Sequence, residues 1–370
     1  MHFPGVELIR SAAALQPLLD AVRGARRVAI DTEFHSERHY YPRLMLLQLR
    51  ADDGEAWLVD PLSDIDLAPL GDALSGVPLL LHGAAMDLQI LQRTLGLRPG
   101  PVFDTQVAAG FVGDGYPIRL QELVRRHLGR HLPKTETLSD WSQRPLSDEQ
   151  LRYAADDVLL LGPLADAIRA ALDARGTAGI AAACMQEMAE RALVPDDPAG
   201  CWRTVPGAHL LDEGERAILA ELAAWRELSA RERDVPRNTI ASDAVLLDLA
   251  RRQPGSVDAL RANRRLPAQV WRRDGAAVLA CVARAAGRVS PPGIQRPRPW
   301  LDLVWAAARA CGRERGVAAE LVLTEPFLDL LSVGGFPTGW RHEALGLHFE
   351  SFLRGGSGID IHGSFSVAEK

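Results

Sequence analysis

The sequence predicts an α/β domain built on a mixed sheet, followed by two all-α helical units. Three observations predict it. Short apolar or alternating runs of strand length crowd the early chain, runs with helical spacing first alternate with them and then replace them, and two proline-rich stretches break the later part. At 370 residues the chain is too long for one ordinary core, so two or three domains are expected.

In order along the chain, residues 28–31, 44–50 and 55–60 read as strands joined by turn-length segments, a pattern suited to antiparallel neighbours. Residues 78–82 form a fourth strand, followed by helices over 84–95 and 120–128. Residues 147–174 read as a long amphipathic helix starting at the cap Ser147 and interrupted near Gly162 and Pro163. Residues 193–207, with Pro195, Pro198 and Pro206, read as a linker; helical periodicity resumes at Asp212 and runs to about Gly287. The expected boundaries are therefore 1–192, a linker over 193–207, helical units over 208–289 and 300–354 joined by a stiff proline-rich linker over 290–299, and a frayed polar tail over 355–370.

Composition narrows the function classes. With 47% hydrophobic and 24% charged residues and no apolar run of membrane-spanning length, a transmembrane protein is excluded. Glu7 and Arg10 interrupt the apolar residues of the N-terminus, which therefore lacks a secretory signal core, and a cytoplasmic location is expected. Cys184, Cys201, Cys281 and Cys311 are widely spaced and read as reduced thiols, not zinc ligands. The net charge of −6 argues against a protein that coats nucleic acid, yet residues 208–298 hold 16 arginines against 11 acidic residues, which makes that stretch the better phosphate-facing surface.

Four acidic positions carry the chemistry. Asp31 and Glu33 share one face of the strand that Val28, Ala29 and Ile30 begin, because strand side chains alternate, so both can reach one cation. Asp87 stands where the strand Leu79-Leu80-Leu81 gives way to a helix, a position that a helix dipole alone would also favour. In Tyr153-Ala154-Ala155-Asp156-Asp157, Tyr153 shares a helical face with Asp157 and nearly so with Asp156, and geometry alone does not choose between the two acids. Taken singly, each motif has an ordinary explanation as a cap or a solvated carboxylate.

Together they resemble the DEDD exonuclease superfamily, whose motifs are D-x-E, a central Asp after a strand and Y-x-x-x-D on a late helix. The tyrosine marks the tyrosine-bearing subgroup and selects Asp157. Within it, Asp31-Thr32-Glu33-Phe34, Tyr40-Tyr41-Pro42-Arg43-Leu44, Leu47-Gln48-Leu49 and the stretch from Lys134 through Ser139-Asp140-Trp141 and Arg144-Pro145-Leu146 to Tyr153 are similar to the ribonuclease D family over residues 3–174. The resemblance implies an RNase H-like exonuclease fold and hydrolysis of RNA from a free 3′ end, releasing 5′-mononucleotides, with precursor transfer RNA as substrate. It implies two Mg²⁺ ions, replaceable by Mn²⁺, about 4 Å apart. Asp31 would bridge them, Glu33 and Asp157 would complete the nucleophile-side site, and Asp87 would hold the leaving-group ion. Tyr153 would orient the attacking water, while Thr32, Phe34, Tyr41, Gln48 and His82 would line the 3′-terminal nucleotide pocket.

Residues 220–260 resemble the helicase and RNase D C-terminal (HRDC) domain, with Arg226, Arg231, Arg233 and Arg237 as expected phosphate contacts, and 300–353 resemble a degenerate second copy. Truncation after Gly207 is therefore expected to weaken RNA binding and spare hydrolysis of short oligomers. Two other readings stay open on the residues alone: a DEDD exonuclease acting on DNA, since the carboxylates serve either backbone, and an inactive nucleic-acid adaptor.

Overall fold

The computed structural model describes residues 6–132, 139–195, 197–264, 266–285, 298–355, 357–359 and 365–367. By their contacts they form two compact units, one of residues 1–34, 44–193 and 296–370, the other of residues 35–43 and 194–295.

The first unit opens with β1 (Val6–Ile9), α1 (Ala12–Gly24), β2 (Val28–His35), β3 (Arg43–Ala51) and β4 (Ala56–Val59). It continues through α2 (Ala68–Leu74), β5 (Leu79–Leu81), α3 (Ala85–Leu95), β6 (Val102–Asp104), α4 (Thr105–Ala109) and α5 (Leu120–Leu128) to the long α6 (Asp148–Arg175) and α7 (Ala178–Leu193). The six strands make one mixed sheet in the order β1-β4-β3-β2-β5-β6. β3 and β4 run antiparallel in the register Gln48 to Leu58, as the turn-length spacing requires, whereas β1 pairs parallel with β4, and β5 pairs parallel with both β2 and β6. The strands β1 and β6 are too short to show a period, whereas α1, absent from the expected elements, carries a helical signal: Leu15, Leu18, Leu19 and Val22 recur at helical spacing behind the cap Ser11.

The expected interruption of α6 does not occur. Pro163 has no N–H to give the carbonyl four residues earlier, and that carbonyl, of Leu159, instead accepts from Arg50 Nη1 on β3 at 2.9 Å. Ser147 does cap the helix, with Gln150 completing a capping box.

After the second unit the chain returns with α13 (Arg298–Arg315), α14 (Ala319–Val322), α15 (Glu325–Ser332) and α16 (Trp340–Leu353). These helices share one apolar core with α4, α6 and α7: Val304, Ala307, Leu321, Phe327 and Phe349 cluster with Phe111, Val158, Leu161 and Ile180. The Ala318 N–H donates to the Gly110 carbonyl at 2.6 Å. A Cβ on Gly110 would lie 2.4 Å from the Leu321 Cδ1, so a larger residue there would have to displace that side-chain tip. Trp340 donates to Glu187 at 3.1 Å, and Arg341 pairs with the same carboxylate. Truncation after Gly207, expected to weaken RNA binding and spare hydrolysis of short oligomers, would also remove helices that share the first unit's core and so expose a large apolar face. The expected frayed tail is corrected too: β7 (Ser357–Ile359) pairs antiparallel with β8 (Phe365–Val367). The proline-rich stretch lies outside the described residues up to residue 297.

The second unit is a helical bundle of α8 (Glu213–Arg233), α9 (Arg237–Ile240), α10 (Asp243–Arg252), α11 (Val257–Arg261) and α12 (Ala268–Ala285) around Leu219, Leu222, Leu246, Leu249, Leu260 and Val278. Trp202 and Val205, from the expected linker, are buried in the same core, so only the earlier part of that stretch reads as a connection. None of the four cysteines is disulfide-bonded. No described helix is long and apolar enough to cross a membrane.

We expect Phe349→Ala to cost the first unit about 3–5 kcal/mol, measured by chemical denaturation. A loss below 1 kcal/mol would show that the C-terminal helices do not share this core.

Candidate active site

Strand alternation in β2 sorts the site. Val28 and Ile30 belong to the core that contains Leu88 and Leu91 of α3, whereas Ala29 belongs to the core that contains Val158 and Leu161 of α6. Asp31 and Glu33 continue the face of Ala29, toward α6; Thr32 and Phe34 continue the face of Ile30, toward α3. Each face then meets one acid from a helix. On the α6 side, carboxylate oxygens of Asp31, Glu33 and Asp157 lie within 4.8 Å of one another. On the α3 side, the Thr32 hydroxyl donates to Asp87, in the first turn of its helix. Between Asp156 and Asp157, the structure brings the second into the cluster.

Electrostatics tie the four acids together. Burial and then the neighbouring Asp157 carboxylate push Asp31 well above the usual range. Burial, reinforced by Asp31, Asp157 and Asp87, raises Glu33 to about 9. Burial and Asp31 raise Asp87 to about 8 against the hydrogen bond from Thr32. Burial raises Asp157 to about 7 even though Tyr153 hydrogen-bonds to it. Four carboxyl groups that cannot all ionise beside one another make an all-oxygen donor set suited to hard divalent cations, whose charge would reverse these shifts.

Other expected site residues fall as follows. Gln48 is fully buried, two residues along β3 from Leu46, which packs with Trp141 and Ala154 on the α6 side; among the described residues neither its Oε1 nor its Nε2 has a partner. Phe34 packs against the core beside α3. The His82 Nε2 donates to the Ile118 carbonyl at 3.0 Å while Nδ1 meets Thr105 Oγ1 at 3.0 Å, and burial lowers its pKa, so the ring is neutral and internally held. Tyr153 sits beside Trp141 with ring centroids 6.0 Å apart. Tyr41 belongs to the second unit, where its N–H donates to Asp234 at 3.1 Å. Lys134 lies outside the described residues.

Each of the four arginines expected to meet phosphate has an acidic partner within its own unit, and Arg237 remains exposed. Arg226 is buried and donates to the Ala241 carbonyl and Asp243. Arg233 forks onto Asp274, and Arg231 and Arg237 pair with Glu227. Arg264, Arg272 and Arg273 are exposed, and Arg261 and Arg272 lie 5.2 and 5.0 Å from the Trp271 ring. Sequence reasoning also missed Asp104, a buried carboxylate that caps α4 and accepts the N–H groups of Gly83 and Ala84, fixing the turn that precedes Asp87. Its signal was present as an aspartate closing the apolar pair Val102-Phe103 before a helix.

Fold and site together define a 3′–5′ exonuclease with a four-carboxylate, metal-dependent centre and an appended helical domain. Residues 6–173 match the family described as 3′–5′ exonuclease, and residues 215–282 match the HRDC domain. The chain is 34% identical to ribonuclease D of Pseudomonas paraeruginosa, over 93% of this chain and 96% of that protein, and 32% identical to ribonuclease D of Cronobacter turicensis, over 94% and 100%. The crystal structure of Escherichia coli RNase D, described as an exoribonuclease involved in structured RNA processing, superposes with a TM-score of 0.82 at 28% identity, covering 96% of this chain and 99% of that one. The chain belongs to the ribonuclease D family and is a 3′–5′ exoribonuclease.

The raised carboxylates make a stability prediction. Without cations the native site holds protons that the unfolded chain has released above its ordinary carboxylate pKa near 4, so the folded state binds more protons and loses stability as pH rises from about 4 to about 9. In chelator at pH 8, Glu33→Gln should therefore melt at a higher temperature than the wild type, and Mg²⁺ should stabilise the wild type more than the variant. A variant that melts lower in chelator would contradict the assigned repulsion.

Proposed function

We propose that this exoribonuclease uses Mg²⁺, with Mn²⁺ as a substitute, to trim the 3′ ends of precursor transfer RNAs in the cytoplasm. The convergence of Asp31, Glu33 and Asp157 to within 4.8 Å, with Asp87 linked to β2 through Thr32, carries the reading. Asp31, between the two groups of acids, would bridge two cations; Glu33 and Asp157 would complete one site and Asp87 the other. When bound, the cations supply a nucleophile at neutral pH and neutralise charge on the departing oxygen.

The chain's own groups do the rest. Tyr153, hydrogen-bonded to Asp157, serves to orient the attacking water from beside that carboxylate. The unpartnered amide of Gln48 offers an acceptor and two donors to the terminal nucleotide, and leaving it unmet would cost about 1–3 kcal/mol. Thr32, Phe34 and His82 remain contacts of that nucleotide in this reading. On the bundle, the exposed arginines around Trp271 offer an RNA backbone both charge and an aromatic face.

Asp31→Asn should lose several kcal/mol of transition-state stabilisation, about a thousandfold or more in kcat, while keeping RNA affinity measured in Ca²⁺. Normal turnover by this variant would refute the ligand assignment. Matched RNA and DNA strands, followed for release of 3′-terminal mononucleotides with and without Mg²⁺, test the substrate class; equal rates on both would remove the RNA preference. Changing both Arg272 and Arg273 to Ala should weaken binding evenly across RNA sequences and flatten the slope of log affinity against log salt by about one to two units. An unchanged slope would move the RNA surface elsewhere.

A further inference from the structure

The helical bundle holds a segment from a distant part of the chain. Residues 35–43 follow Glu33 by two positions, lead from β2 into β3, and belong by their contacts to the second unit. Two carboxylates of α8 and its end receive them. Asp234 closes α8 with a left-handed backbone, φ 46°, accepts the Tyr41 N–H at 3.1 Å, meets His39 Nδ1 at 2.9 Å and lies 3.7 Å from the Arg43 guanidinium. Two turns earlier, Glu227 is 1% exposed and takes the Tyr40 hydroxyl together with Arg231 and Arg237. Both guanidiniums also lie against the Tyr40 ring, 5.6 and 5.4 Å from its centroid. Burial pushes the Glu227 carboxyl up, but Arg237, Tyr40 and Arg231 outweigh it and hold the group at about 2, fully ionised.

A buried ionised cluster is an inefficient way to stabilise a helix face, because apolar residues of similar volume do as well or better. What it secures is a single arrangement. Its partners fit only when Tyr40 stands in one place, and the three consecutive residues 39–41 are each fixed, two through side chains and one through the backbone. The segment so fixed is covalently continuous with the strand end that bears Asp31 and Glu33. We infer that Glu227 and Asp234 of the bundle are positioning residues for the nuclease reaction, acting through residues 39–41 on the strand that carries two of the four acids. The bundle then contributes to the chemical step as well as to RNA binding.

This inference rests on the nuclease reading, and the experiment separates the two. The substrate is an RNA trinucleotide, whose two phosphodiesters give little backbone for a basic surface to hold. In the full-length protein, Tyr40→Phe and Asp234→Ala should each lower kcat by about tenfold, since misplacement of about 1 Å costs up to a hundredfold, and should raise the half-saturating Mg²⁺ concentration several-fold. Both variants should remain folded at the assay temperature, Asp234→Ala melting somewhat lower because alanine disfavours the left-handed backbone. Asp234→Asn keeps an acceptor oxygen for Tyr41 and tolerates the left-handed backbone, so it should retain most of the activity. Wild-type kcat and Mg²⁺ requirement in a folded Tyr40→Phe or Asp234→Ala protein would overturn the positioning role. A wild-type protein inert toward both the trinucleotide and long RNA would instead overturn the nuclease reading itself.

Discussion

The structure turns on the repulsion among carboxylates that meet beside the second half of β2, Asp31 and Glu33 half-buried and Asp87 and Asp157 buried. A folded chain ordinarily keeps such groups apart or pairs them with arginine. Here Asp31, Glu33 and Asp157 converge without a basic partner among the causes that shift them, and three of the four acids are pushed to about 7, 8 and 9. The first unit tolerates this because the rest of its core is apolar and closely shared between the sheet, α6, α7 and the C-terminal helices. A divalent cation would offset the repulsion of acids held together in this way.

The same strand explains how the acids are sorted. Alternation in β2 sends Asp31 and Glu33 toward α6 and Thr32 toward α3, so one strand addresses two helices at once. Asp157 arrives on a helix that runs through Pro163 because Arg50 satisfies the carbonyl the proline leaves bare. Asp87 arrives in the first turn of α3, behind a turn tied down by Asp104. The site is therefore assembled from backbone devices that carry no chemistry of their own.

The acids were legible in the sequence because their motifs follow strand and helix periods, and so were β3, β4, α3 and α5. The choice of Asp157 over Asp156 needed either a family pattern or the structure, since both lie near the Tyr153 face. The acidic partners of Arg226 and its neighbours were not legible, because a guanidinium on a helix looks the same in sequence whether it faces water or a buried carboxylate. Only the fold shows Asp243, Glu227 and Asp274 waiting for them. Likewise helical periodicity marked residues 300–353 but gave no sign that their apolar face closes the core of a domain more than a hundred residues earlier, because such pairing leaves no local pattern.

The convergence of the acids around cations is tested most directly by anomalous diffraction from crystals of the protein soaked in Mn²⁺. The account predicts manganese peaks bounded by Asp31, Glu33 and Asp157, with Asp87 addressing the same centre. Carboxylates that turn away from one another, with no anomalous density between them, would contradict it.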